Sequence, residues 1–264
     1  PAALGPWRNE LSFFADDEDA NLHLNDAEVI TAAAEATAPV LSLDKIYLDA
    51  YKQESGTGGS RYPEVNRAVL DKVNNGTLIW NYSGHGSYRR LAEEVVLHQD
   101  IINSFKNPER LPLFITATCD VAPFDNPLIQ SIGENLLLRP KTGAIALMTT
   151  TRLVFAFSNR IMNKNYLEAA LKRQADGTFP TLGDAVKRAK NFTYTFFGDA
   201  VNNRKFTLLG DPALTIALPS LTVNTTAVNG VPITAVPDTL KALSTYTISG
   251  EISNAAGQVQ DNFT

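Results

Sequence analysis

Leu111–Asp120, LPLFITATCD, is an apolar run that ends on the only cysteine of the chain. A half-buried strand would alternate polar and apolar residues. This run does not, so it reads as a strand covered on both faces, the pattern of a parallel sheet between helices. Such a strand delivers Cys119 to the carboxyl edge of the sheet, where open α/β folds form their ligand crevices. Thr77–Ser83, TLIWNYS, has the same character and runs into Gly84-His85-Gly86. A thiol on one strand end and an imidazole on another are the parts of a nucleophile and its base.

Outward from these two runs, strands and helices take turns. Asn9–Ala15, Leu43–Leu48 and Gly143–Thr150 read as further strands. Asp26 is placed to cap a helix with Val29, Ile30, Ala33 and Ala34 inward. Pro63–Asn74 reads as a helix with proline near its start and Val65, Val69, Leu70 and Val73 inward. Helices are also expected at Gln99–Phe105, Pro127–Leu138, Asn159–Gln174 and Leu182–Phe192. Lys52–Arg61 reads as a Gly/Ser-rich loop. Phe206–Leu209 and Leu214–Leu218 should close the unit around Gly210-Asp211-Pro212. The alternation implies right-handed crossovers and a mostly parallel α/β sheet. After Pro219 the texture becomes Thr-, Val- and Asn-rich with no helical period. A boundary near Pro219 is therefore expected, giving a domain at 1–218 and the start of a β-sandwich at 219–264.

With 264 residues, 44% of them hydrophobic and 19% charged, the chain has room for a real core. A net charge of −5 and the lack of a basic tract argue against nucleic acid as a partner. No apolar run approaches the ~20 residues of a membrane-spanning helix. The chain opens on Pro1 without methionine and reads as an excised piece, so a missing signal peptide does not imply a cytoplasmic protein. A single cysteine excludes an internal disulfide and a Cys-rich zinc site.

Cys119 taken alone reads first as a buried structural thiol, since free cysteine behaves as a small hydrophobe. Its place at the end of the run, before Asp120 and the polar loop VAPFDNP, puts it at the rim. Gly86 N–H and Cys119 N–H could then face a developing oxyanion. Asp17, just after the first strand, could hold the imidazole tautomer. Equally, Asp16, Asp17, Glu18 and Asp19 could be a solvated loop or hard oxygen ligands for calcium. His23 and His98 read as surface residues. No HExxH pattern supports zinc, and no G-x-S-x-G elbow supports a serine hydrolase.

NYSGHGS at Asn81–Ser87, TATCD at Thr116–Asp120 (its cysteine 34 positions after His85) and LLGDPAL at Leu208–Leu214 together resemble the gingipain-type cysteine peptidases, family C25 of the caspase-like clan. The resemblance covers most of Pro6–Leu218. Within the family, PWRNELSFFADDED, ATCDVAPFDNP and GAIALMTTTRLVFA are most similar to the surface sortases of type IX secretion systems in Bacteroidetes. The resemblance implies a caspase-like fold, a following immunoglobulin-like domain present in part, and a preceding subdomain absent from this chain. It implies Cys119 as nucleophile, His85 as general acid/base, and the backbones of Gly86 and Cys119 as oxyanion hole. Asp17 falls where the family places an orienting glutamate. His23 falls at the base of the primary specificity pocket, where arginine-specific members have aspartate, which argues against cleavage after arginine. Phe155 falls at a pocket wall, or equally in the core. No cofactor is required, with structural calcium left open. The implied partners are proteins carrying a C-terminal sorting domain, other type IX components and an anionic lipopolysaccharide acceptor, at the outer face of the outer membrane.

Two other readings remain. One is a metal-dependent phosphohydrolase using Asp16–Asp19 and Asp211, against which the lack of a DxDxT motif counts. The other is a non-catalytic surface module with a peptidase-like fold.

Overall fold

The computed structural model describes residues 4–234 and 239–261. The chain divides into two compact units, Pro1–Leu218 and Pro219–Thr264. In the first, β1 (Glu10–Ala15), α1 (Leu22–Thr37), β2 (Ser42–Tyr47), α2 (Pro63–Asn75) and β3 (Ile79–Ser83) follow in order. Then come α3 (Gln99–Asn103), β4 (Leu113–Ala117), α4 (Ile132–Leu138), β5 (Ala146–Thr150), α5 (Ala156–Leu171), α6 (Leu182–Phe197) and β6 (Phe206–Leu209). The six strands form one sheet in the order β6-β5-β4-β3-β1-β2, parallel except for β6 on β5. The chain steps from β1 out to β2 and returns on the other side of β1 as β3. That reversal is the switch point where α/β sheets open a crevice at their carboxyl ends.

Every residue of β3, β4 and β5 is buried, which is why those runs do not alternate in sequence. The sheet separates two cores. On one face α1, α5 and α6 cover Leu11, Phe13, Ile79, Ile115 and Met148. On the other, α2, α3 and α4 lie over Phe14, Trp80, Tyr82, Phe114 and Leu147. Trp80 is the hub of this second face, stacked on Phe14 at 4.5 Å and on Phe114 at 4.7 Å between ring centres. Three aromatic side chains from three adjacent strands thereby tie β1, β3 and β4 together.

Several expectations shift. The first long helix starts at Leu22, earlier than Asp26. Asp26 is buried within it and paired with Arg160 at 3.0 Å instead of capping. Val29 faces solvent, and Ala27, Ile30, Ala33 and Ala34 are inward. The Gly/Ser-rich stretch is not all loop: Glu54–Gly56 and Gly59–Arg61 pair as a small hairpin. The fourth helix begins only at Ile132, because the Ser131–Glu134 capping box sets its start. Leu214–Leu218 forms no strand, contributing one bridge from Thr215 to Thr181. In the second unit, β7 (Thr222–Val228) pairs antiparallel with β8 (Val231–Pro232) and β9 (Ile248–Ser253). The rest of that expected sandwich at 235–238 and 262–264 lies outside the described residues. No helix among the described residues is long and apolar enough to cross a membrane.

Because Trp80 has no exposed surface and bridges three strands, Trp80→Ala should cost about 3–5 kcal/mol of unfolding free energy in a denaturant titration. A loss below ~1 kcal/mol would show that the stack does not hold the sheet.

Candidate active site

The register sets the site. Ala15 of β1 lies beside Ser83 of β3, and Ser83 lies beside Ala117 of β4. The three chains thus leave the sheet at one level. Asp16 is the next residue on the first, Gly84 on the second and Thr118 on the third; His85 and Cys119 follow at equivalent positions. Gly86 packs so tightly that a Cβ there would come within 2.7 Å of the Thr118 side chain. Gly84 is equally constrained, since its Cβ would meet Asp16 at 2.4 Å. The two glycines are needed for close approach across neighbouring strand ends.

Cys119 is half-buried, and its Sγ accepts the Val154 N–H at 3.4 Å. The carbonyl just before it, Thr118 O, accepts the Thr150 hydroxyl. Asp120 then takes a left-handed φ of 53°, so the chain turns sharply after the sulfur. A cavity of about 400 Å³ lined by Asp120, Pro123, Asp125 and Arg152 adjoins this turn. A more apolar cavity of about 450 Å³, lined by Trp7, Leu78, Leu113 and Ile216, lies at the opposite edge, where the strands begin.

His85 is held through its backbone. Its N–H donates to the fully buried Asp16 carboxylate at 2.8 Å, and its carbonyl accepts the Tyr82 hydroxyl at 2.7 Å and the Ala92 N–H at 3.0 Å. Burial pushes the Asp16 carboxyl above its ordinary value, and the His85 N–H opposes that shift. Among the loop's backbone bonds, Ser87 N–H goes to Arg90 O and Ala92 N–H to His85 O, and Gly86 N–H makes no hydrogen bond among the described residues.

The carboxylate on the imidazole is Asp19, whose Oδ2 lies 2.9 Å from His85 Nε2. That hydrogen bond holds the Asp19 carboxyl below the usual range. An ionised Asp19 accepts the Nε2–H and leaves the lone pair on Nδ1, the tautomer a base needs. Asp17, the residue expected in this place, points elsewhere: its Oδ2 accepts the Tyr62 hydroxyl at 2.6 Å. The reason is the turn after β1, where Asp19, Ala20 and Asn21 all take positive φ and fold Asp19 back over His85.

His23, expected at the surface, is buried in the first turn of α1, its ring edge-on to His85 at 5.0 Å between centres. Burial, and then the neighbouring His85, push it below its ordinary value. His98 caps α3 instead, accepting the Asp100 N–H at 3.4 Å. Phe155 is 68% exposed, which removes the core reading and leaves its ring free beside the Lys205 ammonium at 5.3 Å. Asp211 accepts the Ala213 N–H at 2.8 Å and so closes its own turn, away from the Asp16–Asp19 run.

The acidic run is divided in use. Asp16 and Asp17 join Glu94 from the loop after β3, with three carboxylate oxygens within 4.8 Å of one another. Asp17 Oδ1 and Glu94 Oε2 are buried without a hydrogen-bond partner among the described residues. Burial raises the Glu94 carboxyl, and Asp17, Asp16 and Glu18 raise it further. Such an all-oxygen cluster has the donor type calcium takes.

The model of peptidase family C25 matches residues 1–217. The chain belongs to peptidase family C25. Among solved structures, this C25 chain is similar to the Arg-specific cysteine proteinase gingipain R (RgpB), at TM-score 0.67 and 16% identity over 83% of this chain and 51% of that one. It is also similar to the complex of Porphyromonas gingivalis RgpB pro- and mature domains, at TM-score 0.64 and 16% identity, covering 83% of this chain and 52% of that one. Dimeric latent PorU from Porphyromonas gingivalis overlaps at 26% identity over 46% of this chain and 11% of that one, with TM-score 0.26. No match was found among curated proteins. At 16% identity the gingipain likeness is one of fold, and the C25 chain spans about half the length of those structures. The sheet and its helices have the caspase-like arrangement of that family.

An imidazole oriented by Asp19 predicts that Asp19→Asn lowers kcat/KM by about tenfold to a hundredfold, less than for a buried orienting carboxylate because Asp19 is half exposed. Asp17→Asn should cost less. Steady-state kinetics on a cleavable peptide would return the role to Asp17 if the order were reversed.

Proposed function

We propose that this C25 chain is the catalytic part of a cysteine endopeptidase or transpeptidase, working through an acyl-enzyme as the C-terminal signal peptidase, or sortase, of a type IX secretion system. The observation that carries the peptidase reading is the register. His85 and Cys119 sit two residues past the paired positions Ser83 and Ala117 of adjacent parallel strands, on one edge of the sheet.

The chemistry follows from the groups at that edge. Cys119 loses its proton to His85 and attacks the scissile carbonyl, forming a C–S bond as the carbonyl electrons move to oxygen. Gly86 N–H and Cys119 N–H offer hydrogen bonds to that oxyanion. Collapse of the tetrahedral species breaks the C–N bond, and the imidazolium gives its proton to the leaving amine. Water then releases an acid, or an amine acceptor forms a new amide. Throughout, Asp19 stabilises the imidazolium through the 2.9 Å contact.

The sortase reading rests on the resemblance of Pro6–Asp19, Ala117–Pro127 and Gly143–Ala156 to type IX sortases. Its substrates are secreted proteins with a C-terminal sorting domain, its acceptor an anionic lipopolysaccharide, and its place the outer face of a Bacteroidetes outer membrane among other type IX components. His23 in place of an acidic pocket base disfavours arginine before the cut bond. Phe155, exposed beside the start of α5, supplies an apolar wall. The second unit carries the immunoglobulin-like role in part. Calcium, if held structurally, is held by Asp16, Asp17 and Glu94.

Cys119→Ala should fold normally and lose both peptide cleavage and labelling by a thiol-directed acyloxymethyl ketone, with a rate loss on the order of a thousandfold or more. Retained cleavage would discard the mechanism. In cells, the same substitution should leave the sorting domain on secreted cargo, read by mass spectrometry; normal trimming would remove the sortase assignment. Calcium at about 100 times its Kd should raise the melting temperature by roughly 5–10 °C and do so far less in Glu94→Gln. An equal rise in both would place the ion elsewhere.

A further inference from the structure

Beside the all-oxygen cluster lies a second group of donors with different chemistry. Asp19, His23 and His85 each bring one ligand atom within 4.8 Å of the other two. Asp19 Oδ2 is 2.9 Å from His85 Nε2 and 3.4 Å from His23 Nε2. A tetrahedral zinc centre with bonds of 2.0–2.1 Å has ligand–ligand edges of about 3.3 Å. The two edges that meet at Asp19 Oδ2 are therefore close to the spacing such an ion requires.

An independent observation points to a ligand. His23 is only 6% exposed, and its Nε2 is sealed from solvent with no hydrogen-bond partner among the described residues. That nitrogen is aimed at the Asp19 carboxylate and the His85 ring, edge-on to the latter. A buried polar nitrogen with a 3.4 Å carboxylate contact but no hydrogen bond is costly, and a metal bond would satisfy it. The three donors come from the turn after β1, the first turn of α1 and the loop after β3, so the fold converges them. Asp19 and His85 are each half exposed, which gives an ion an entry path and an open fourth position.

We propose that Asp19, His23 and His85 form a three-ligand site for a borderline divalent cation of the zinc type, whose binding withdraws His85 from acid–base work. Two imidazoles and one carboxylate suit zinc over calcium or magnesium, which take oxygen ligands. The adjacent Asp16, Asp17 and Glu94 cluster sorts the opposite way. Metal on Nε2 breaks the Nε2–H to Asp19 bond and leaves the neutral ring's proton on Nδ1. No lone pair then remains to take the thiol proton. The inhibition, though not the binding, rests on the reading of His85 as the base.

The test is calorimetric titration of the whole chain with zinc chloride, with peptide turnover followed over the same concentrations. One equivalent should bind in the native chain, and Asp19→Asn and His23→Gln should each weaken it at least tenfold. Asp19 is exposed, so its variant tests the site even if His23→Gln fails to fold. Cys119→Ala should bind zinc within about threefold of the native chain. Turnover of the native chain should fall as the site fills and recover with a chelator. Absence of stoichiometric binding, or binding that survives Asp19→Asn, overturns the site. Binding lost in Cys119→Ala overturns it also, because the sulfur would then be a ligand. Binding with the expected variant pattern but unchanged turnover keeps the site and overturns its link to catalysis, and with it the reading of His85 as the base.

Discussion

The fully buried Asp16 carboxylate holds the candidate site in place, because it takes the peptide N–H of His85 at 2.8 Å just where β1 and β3 leave the sheet. A carboxyl group in that position is costly to bury, and its hydrogen bonds from the peptide N–H groups of His85 and Asp17 are what offset the cost. The same contacts fix where the imidazole starts. The side chain of His85 itself stays half exposed. A fixed backbone anchor with a half-exposed ring suits a group that must exchange protons with a substrate.

Around this anchor the fold divides its tasks. Aromatic stacking through Trp80 locks three strands at one height, and that height places His85 and Cys119 at matching positions. The turn after β1 then splits four consecutive acidic residues. Asp16 goes inward to the peptide, Asp17 to Tyr62, and Asp19 back over the imidazole. Two donor clusters with different metal preferences arise within one short segment, one of oxygens alone and one of nitrogen and oxygen.

Much of the architecture was legible in the residues. Unbroken apolar runs such as LFITA and IWNYS could belong only to strands covered on both faces, and the glycines around His85 marked a close approach. The choice among the acidic residues was not legible. Asp17 lies two residues past the strand end, level with His85 and Cys119 by simple counting, yet three successive positive φ values at Asp19, Ala20 and Asn21 reverse the chain. None of the three is glycine, so composition gave no warning of that reversal. His23 was misplaced for a related reason: the helix begins before Asp26, which turns the imidazole inward. Asp16 offered a signal that could have been used. It directly follows a strand whose last five residues are all buried, so the next side chain stays interior.

The central claim is spatial: one crevice at the carboxyl edge serves the sulfur, the imidazole and the Gly86 amide together. A crystal structure of the chain alkylated at Cys119 by a peptidyl chloromethyl ketone tests it most directly. The account predicts the carbonyl-derived oxygen within hydrogen-bond reach of Gly86 N–H and Cys119 N–H, with the His85 ring against the adduct. An adduct directed away from β3, with His85 and Gly86 untouched, would contradict it.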